Sequence, residues 1–474
     1  MRSRNKIQIA LLGLITLISF NSCQITNRYT SPKISTEDLF RDEVATDTNT
    51  IANIPWKDFY TDALLQQYIE KGLEHNHDML IAQQRIKQAE AVLGQTRAAY
   101  FPDLALTAQV DQTRLSNADP LTGMPREKNN LAYHKESYTL GVVASWELDI
   151  WGKLNRKSRA SYADMLNSYA GRNLIQTSLI ANIANTYYSL LALDEQLLVT
   201  QDMIQLIEET LEITMILKES DEATSAAVEQ TRATLHNTKT TVPELEKNIK
   251  HLENALSVMI GEPAGSIERT RLENQTVKTD LSIGVPAQLL AKRPDVLQAE
   301  LAFRSAFELT NVARASFYPT INLTSGMVGF STVNGLSNFF KPQNLIASIV
   351  GGLTQPLFAR NQLLTQLKVA KAEEKATLLG FEKAVLSAGQ EVSNILTSYE
   401  TSTQKNEDRK IQVEAQQKAV NDTQELLNAG FATYLEVLSA QQGLLQAQLS
   451  QVNDKLEQLQ AVTNLYRALG GGTQ

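Results

Sequence analysis

Between Leu148 and Ser220 the chain carries only two glycines, Gly152 and Gly171, and no proline. At about 1.5 Å per residue, a helix covering most of that span is on the order of 100 Å long, far beyond the width of an ordinary globular domain. Such a helix needs packing partners along its whole length, because an isolated helix is marginal in water.

The sequence supplies a second copy. Residues 352–360 align with 145–153 at an offset of 207, and another glycine-poor run follows. A second block, Asn76 to Pro102, aligns with Arg293 to Pro319 at an offset of 217, with Asp78 opposite Asp295, Leu80 opposite Leu297, Ala89 opposite Ala306, Arg97-Ala98 opposite Arg314-Ala315 and Pro102 opposite Pro319. Two blocks in the same order mark a duplicated long-helix chain. Low aromatic content (6%) suits long helices sharing a thin interface. Net charge is −8, and −11 once Arg2, Arg4 and Lys6 are removed with a leader, a balance that excludes nucleic acid as a partner.

Residues 1–22 combine a basic start with the apolar run Ile7 to Phe20, too short to span a bilayer, and read as a secretory signal. Cys23 is the sole cysteine, and its place after Ser22 resembles a bacterial lipobox that ends in a lipidated cysteine. Ordinary cleavage near Ser22 is the alternative. Gln24 stands where the inner-membrane retention signal has Asp, which points to the outer membrane. Residues 23–62 are expected to be an anchored N-terminal tether, polar and without periodicity up to Trp56-Lys57-Asp58-Phe59-Tyr60.

Met79, Ala82, Ile86, Ala89 and Leu93 then recur at spacings of 3 and 4, as do Val296, Ala299, Phe303 and Ala306, the stripe of a helix packed like a coiled coil. After Pro102 and Pro319 the period changes to two. Leu104, Leu106, Ala108 and Val110 alternate with polar residues, as do Tyr138, Leu140, Val142, Ala144, Trp146 and Leu148. Strands with one apolar face are expected at about 103–112, 137–148, 320–330 and 345–355, the second pair less regular. Four strands cannot close a barrel, and lipid tolerates no open edge. If the apolar face meets lipid, several chains must pool their strands; a soluble four-stranded sheet on helices is the competing reading.

Each second strand leads into a long helix, a short break and a returning helix, giving hairpins at about 151–260 and 357–469. The breaks lie at residues 219–224 and 428–433, offset by 209. The returning helices carry the stripes Val242, Leu245, Ile249, Leu252, Leu256, Met259 and Leu438, Leu445, Leu449, Val452, Leu456, Leu459, with Pro243 expected to kink the first. Repeats at 63–262 and 287–474 are joined by 263–286, expected to lie outside the wall. The secretory signal and the long helices favour the membrane reading of the strands, so the expected fold class is mainly α with a small transmembrane β part.

Trp56 to Tyr60, Arg97 to Pro102, Trp146 to Gly152, Lys292-Arg293-Pro294-Asp295, Ala313 to Pro319 and Gly430 to Gln441 together resemble TolC/OprM-type outer-membrane efflux channels, in the lipoprotein branch that works with RND pumps. The resemblance implies a homotrimer whose twelve pooled strands form one barrel in outer-membrane lipid, continued by a helical barrel across the periplasm. It implies a passive exit duct for a periplasmic adaptor and an inner-membrane RND pump. It places the adaptor at the hairpin tips, Asp221, Glu222, Ala223, Thr224 and Gly430, Phe431, Ala432, Thr433. It puts Glu436 in an acidic ring at the periplasmic gate, with Ser439 where many members carry a second acid. Asp221 stands opposite Gly430, so the first turn is expected to depart from the second. A type I secretion channel is the alternative within the family, and a lipid-anchored periplasmic scaffold a remoter one. The five histidines are scattered and no nucleotide or metal motif is present, so no catalytic residue, metal or cofactor is expected.

Overall fold

The computed structural model describes residues 25–32, 51–114, 116, 118, 125, 134–276, 293–333 and 335–473. Cys23, the leader and most of the tether lie outside them, as do 277–292 of the connecting segment. The described elements are α1 (Trp56–Phe59), α2 (Ala63–His75), α3 (His77–Ala98), β1 (Asp103–Arg114), β2 (His134–Leu148), α4 (Lys153–Glu219), α5 (Ser225–Met259), α6 (Pro294–Ala315), β3 (Thr320–Val333), β4 (Leu345–Ser348), β5 (Gly351–Thr354), α7 (Gln362–Asn428) and α8 (Tyr434–Ala468). Both long helices have 67 residues and both returning helices 35, and every one of these boundaries repeats at an offset of 209. That corrects the offset of 207 expected at the start of the hairpins. Gly152 therefore matches Asn361, and both residues take positive φ, 72° and 64°. Helices α3 and α6, 22 residues each, keep the expected 217. The difference of eight falls between the strands of each pair, whose connections are 115–133 and 334–344.

The chain divides into two units. The first contains residues 25–32, 88–166 and 301–379 and holds the sheet, with strand order β1-β2-β3-β4 and β5 on β3. All pairs are antiparallel. Leu104, Leu106, Ala108 and Val110 of β1 lie opposite Ala144, Val142, Leu140 and Tyr138 of β2. Directly opposed residues share a face, so the two apolar rows form one surface. It continues through Leu140↔Phe330, Val142↔Val328, Trp146↔Leu323 and Leu148↔Ile321, and then Phe330↔Leu345 and Ile321↔Leu353. The second pair looks irregular in sequence because the register shifts between Ala144 and Ser145, which pair with Gly326 and Thr324. One extra residue moves the apolar set from odd to even positions. The expected fourth strand is two short ones, interrupted at 349–350.

The joints between strands and helices repeat with different side chains. Trp146 Nε1 donates to the Tyr100 carbonyl (2.8 Å), and Gln355 Nε2, 209 positions on, donates to that of Phe317 (3.0 Å). Asp149 accepts from the Leu154 and Asn155 amides and closes the first turn of α4. The start of the polar tether is held in this unit. Asn27 exchanges two hydrogen bonds with the buried Asn311 side chain of α6 (3.0 and 3.2 Å), Thr26 accepts from Arg156, and Tyr29 packs against Phe303 and Phe307. Arg156 also pairs with buried Glu308 at 2.8 Å.

The second unit contains residues 51–87, 167–276, 293–300 and 380–473. Its main core gathers Leu65, Ile69, Met79, Ile183, Tyr187, Leu190, Leu256 and Tyr466. The helical run ahead of β1 is broken at Asn76, between α2 and α3. Its side-chain oxygen accepts from the Asp78 and Met79 amides and its Nδ2 donates to the carbonyl of Met259, the last residue of α5. Arg293, the equivalent residue of the second repeat, donates to the carbonyl of Ala468, the last residue of α8. Guanidinium and amide thus make the same joint. Arg293 also pairs with Asp295 and Glu391, and Glu391 with Arg467. The connecting segment is tied down by Arg269, paired with Asp194 and Glu253, and by Asp62, whose second oxygen accepts from Tyr187, Thr270 and Gln275. Burial would raise the Asp62 pKa, but these donors together hold the carboxyl below its ordinary value. Pro243 sits inside α5 without ending it.

Candidate functional site: the hairpin tips

Both tips lie in the second unit. In the first, α4 ends in a left-handed residue, Asp221 (φ 62°), and the Glu222 and Ala223 amides both donate to the Leu217 carbonyl (2.8 and 3.1 Å). In the second, Gly430 (φ 76°) holds that place, and the Phe431 and Ala432 amides donate to the Leu426 carbonyl (2.8 and 3.2 Å). The expected departure at Asp221 is corrected: the two turns share one backbone, since aspartate is among the few L residues that tolerate this region. Glycine carries no such penalty. Asp221→Gly is therefore expected to raise stability by about 0.5–1 kcal/mol, read as a later unfolding midpoint in denaturant, with an earlier one contradicting the shared-turn assignment.

The returning helices start with matching threonines that are capped differently. Thr224 Oγ1 accepts from the Ala227 amide at 3.2 Å. At Thr433, the carboxylate of Glu436 turns back to accept from the Thr433 amide (2.6 Å) and hydroxyl (3.0 Å), the reciprocal half of a capping box. Those two donors, the amide first, lower the Glu436 pKa. The carboxylate is fully exposed, ionised at neutral pH and fixed in direction. Its counterpart in the first repeat is Ala227, buried at 1% exposure, so the charge belongs to one hairpin only. Ser439 is exposed three residues further on. Phe431 is 83% exposed, whereas the first tip presents Asp221 and Glu222.

Behind the second tip lies a polar layer that sequence reasoning missed. Gln441 is completely buried, donating to Thr210 Oγ1 (2.9 Å) and the Leu206 carbonyl (3.2 Å), within a cluster formed by Met203, Ile207, Leu235, Val420, Leu438 and Leu444. A signal was present: the stripe of α8 jumps from Leu438 to Leu445, and Gln441 occupies the skipped position. The Gln441 Nε2 is paired while its buried Oε1 has no partner among the described residues; since an unpaired buried donor is costly, the two Nε2 bonds favour one alignment of α8 on α4.

The family model for outer membrane efflux proteins matches residues 68–262 and 285–471, one stretch for each repeat. The chain belongs to the outer membrane efflux protein family. This efflux-family chain is 24% identical over 98% of its length to the probable outer membrane lipoprotein SilC of Salmonella typhimurium, covering 99% of that protein. It is 27% identical over 88% of its length to the toluene efflux pump outer membrane protein TtgC of Pseudomonas putida, covering 85%. Among solved structures, the outer-membrane channel OprN matches with a TM-score of 0.86 at 24% identity, covering 95% of this chain and 100% of that one. The open state of the MtrE channel of Neisseria gonorrhoeae matches at 0.83, covering 95% and 99%. The mainly helical architecture with its small sheet is thus the fold of outer-membrane channels.

Proposed function

We propose that the protein is the outer-membrane exit duct of a tripartite RND-type efflux system, a homotrimer lipidated at Cys23 and opened at its periplasmic tips by an adaptor and an inner-membrane pump. The observation that carries this reading is the sheet: a largely apolar face running across its strands, with β1 unpaired on one edge and β4 and β5 on the other among the described residues. An apolar sheet with free edges is viable in lipid only when copies pool their strands into a closed barrel. Three chains joined β1 to β4/β5 make twelve strand positions. The repeats correspond to 63–262 and 287–474, linked by 263–286. Adaptor contact falls on Asp221 to Thr224 and Gly430 to Thr433. Related proteins are named for toluene, cation and pyoverdine efflux, a spread that suits a duct whose partner does the selecting.

Three copies of Glu436 around one axis favour cations and repel anions. The capping box makes the test sharper. Glu436→Gln keeps an acceptor for the Thr433 amide and removes the charge, whereas Glu436→Ala removes both. In planar bilayers, the purified lipoprotein is expected to give small cation-selective steps, with selectivity lost in both variants. Selectivity lost in the alanine variant alone would assign Glu436 to the cap, and unchanged selectivity in both would remove it from the gate.

A further inference from the structure

Two clefts of the first unit, lined by residues of α6, α7 and the turn after α6, lie side by side and share Arg314 as a wall. One, about 310 Å³, is lined by Ile25, Phe317, Tyr318, Leu364 and Leu367 together with Arg314. The other, about 270 Å³, shares Arg314 and is lined by Lys371, Glu374 and Lys375 with Phe303 and Leu378. Among the described residues no carboxylate lies within 4.0 Å of the Arg314, Lys371 or Lys375 nitrogens, and Arg314 makes one neutral contact, to Asn311 Oδ1 at 3.0 Å. Three cations against Glu374 leave a local surplus of two positive charges beside an apolar slot.

The duplication provides an internal control. In the first repeat Arg97 matches Arg314, but Tyr162, Met165 and Leu166 stand where the second has Lys371, Glu374 and Lys375. The paired lysines are therefore not a requirement of the helical packing, and the matching positions of the first repeat do not reproduce them. Its place points to the ligand. Arg314, Phe317 and Tyr318 immediately precede β3, whose apolar row begins at Ile321, and Ile25 lies two residues from Cys23.

We infer that these neighbouring clefts together bind an anionic glycerophospholipid, its phosphate held by Arg314, Lys371 and Lys375 and an acyl chain laid along Phe317, Leu364 and Leu367. The inference rests on the membrane placement under the proposed function. Head-group charge, not acyl length, sets the preference, since the cations are the feature the first repeat lacks.

The test is native mass spectrometry of the full-length, detergent-purified lipoprotein titrated with dioleoyl phosphatidylglycerol or dioleoyl phosphatidylethanolamine. Wild type is expected to retain the anionic lipid roughly tenfold or more over the zwitterionic one, and K371Q/K375Q to lose that preference, while K405Q/K410Q, far along α7, keeps it. Equal retention of both lipids by wild type, or a preference unchanged in K371Q/K375Q, would overturn the inference. So would a wild type that retains neither lipid while Cys23→Ser retains both equally, which would give the slot to the chain's own acyl groups. Retention is read without ion flow, so a failure to conduct counts against the duct and leaves this result standing.

Discussion

Replacing Gly329 with valine is expected to remove nearly all assembled protein from the outer-membrane fraction. Gly329 of β3 lies directly opposite Gly141 of β2, and the pair brings the two backbones together without side chains between them. A Cβ at Gly329 would stand 2.2 Å from the Leu140 carbonyl oxygen and 2.4 Å from the Gly141 Cα. Both neighbours are backbone, so no rotamer change relieves the clash and the central pair of the sheet must spread. Overpacking of this kind costs several kcal/mol, on the order of 4 or more when backbone must move. Because β2 and β3 occupy the middle of the sheet, spreading them also displaces the edges through which copies are proposed to join. A helical glycine with open space around it serves as the control: Gly380→Ala has nothing within 4 Å of the added carbon and is expected to be neutral or stabilising by up to about 1 kcal/mol. Heat-modifiable migration of membrane extracts reads the difference, and normal assembly of the valine variant would refute the close pairing of β2 and β3.

Arg293→Ala is expected to be the most damaging change in the second unit, and far worse than Asn76→Ala at the matching joint. Arg293 is 5% exposed and gathers Asp295, Glu391 and the last carbonyl of α8. Its loss leaves two partly buried carboxylates facing one another, with Arg467 as the remaining cation, a change worth about 3–5 kcal/mol. Lysine presents one ammonium in place of a planar fork and should recover little. Asn76→Ala removes neutral hydrogen bonds only, about 1–2 kcal/mol. Unfolding midpoints followed by helical circular dichroism give both values. Equal losses at the two joints would mean that the charged network adds nothing beyond the single carbonyl contact.

The large features of the fold could be read from residue order because they depend on periodicity over long spans. Spacings of 3 and 4 marked the buried stripe Met79, Ala82, Ile86 and Leu93, and alternation marked the apolar rows of β1 and β2. What could not be read depends on local exceptions. A single shift beside Ala144 blurred β3, and two residues separate the apparent match at Trp151-Gly152 from the structural one. Asn76 resembles any helix residue until its side chain is seen taking over the hydrogen bonds of the broken turn. Asp221 looked like a departure because residue identity differs while backbone conformation does not. At the tips, the position of Glu436 was legible but its cap was not, since the same carboxylate serves the helix end and the charge of the tip.

The identical lengths of the two hairpins carry a consequence for how such a chain can change. With 67 and 35 residues in each repeat, an insertion confined to one hairpin would leave one tip longer than its twin and move the Thr210–Gln441 and Gln196–Asn453 contacts between the hairpins out of step. Viable length variants must arrive in pairs, the same whole number of turns added to each arm of both repeats. A duplicated gene thus gains freedom to diverge in chemistry, as the tips and joints have done, while its two halves stay bound to a common ruler.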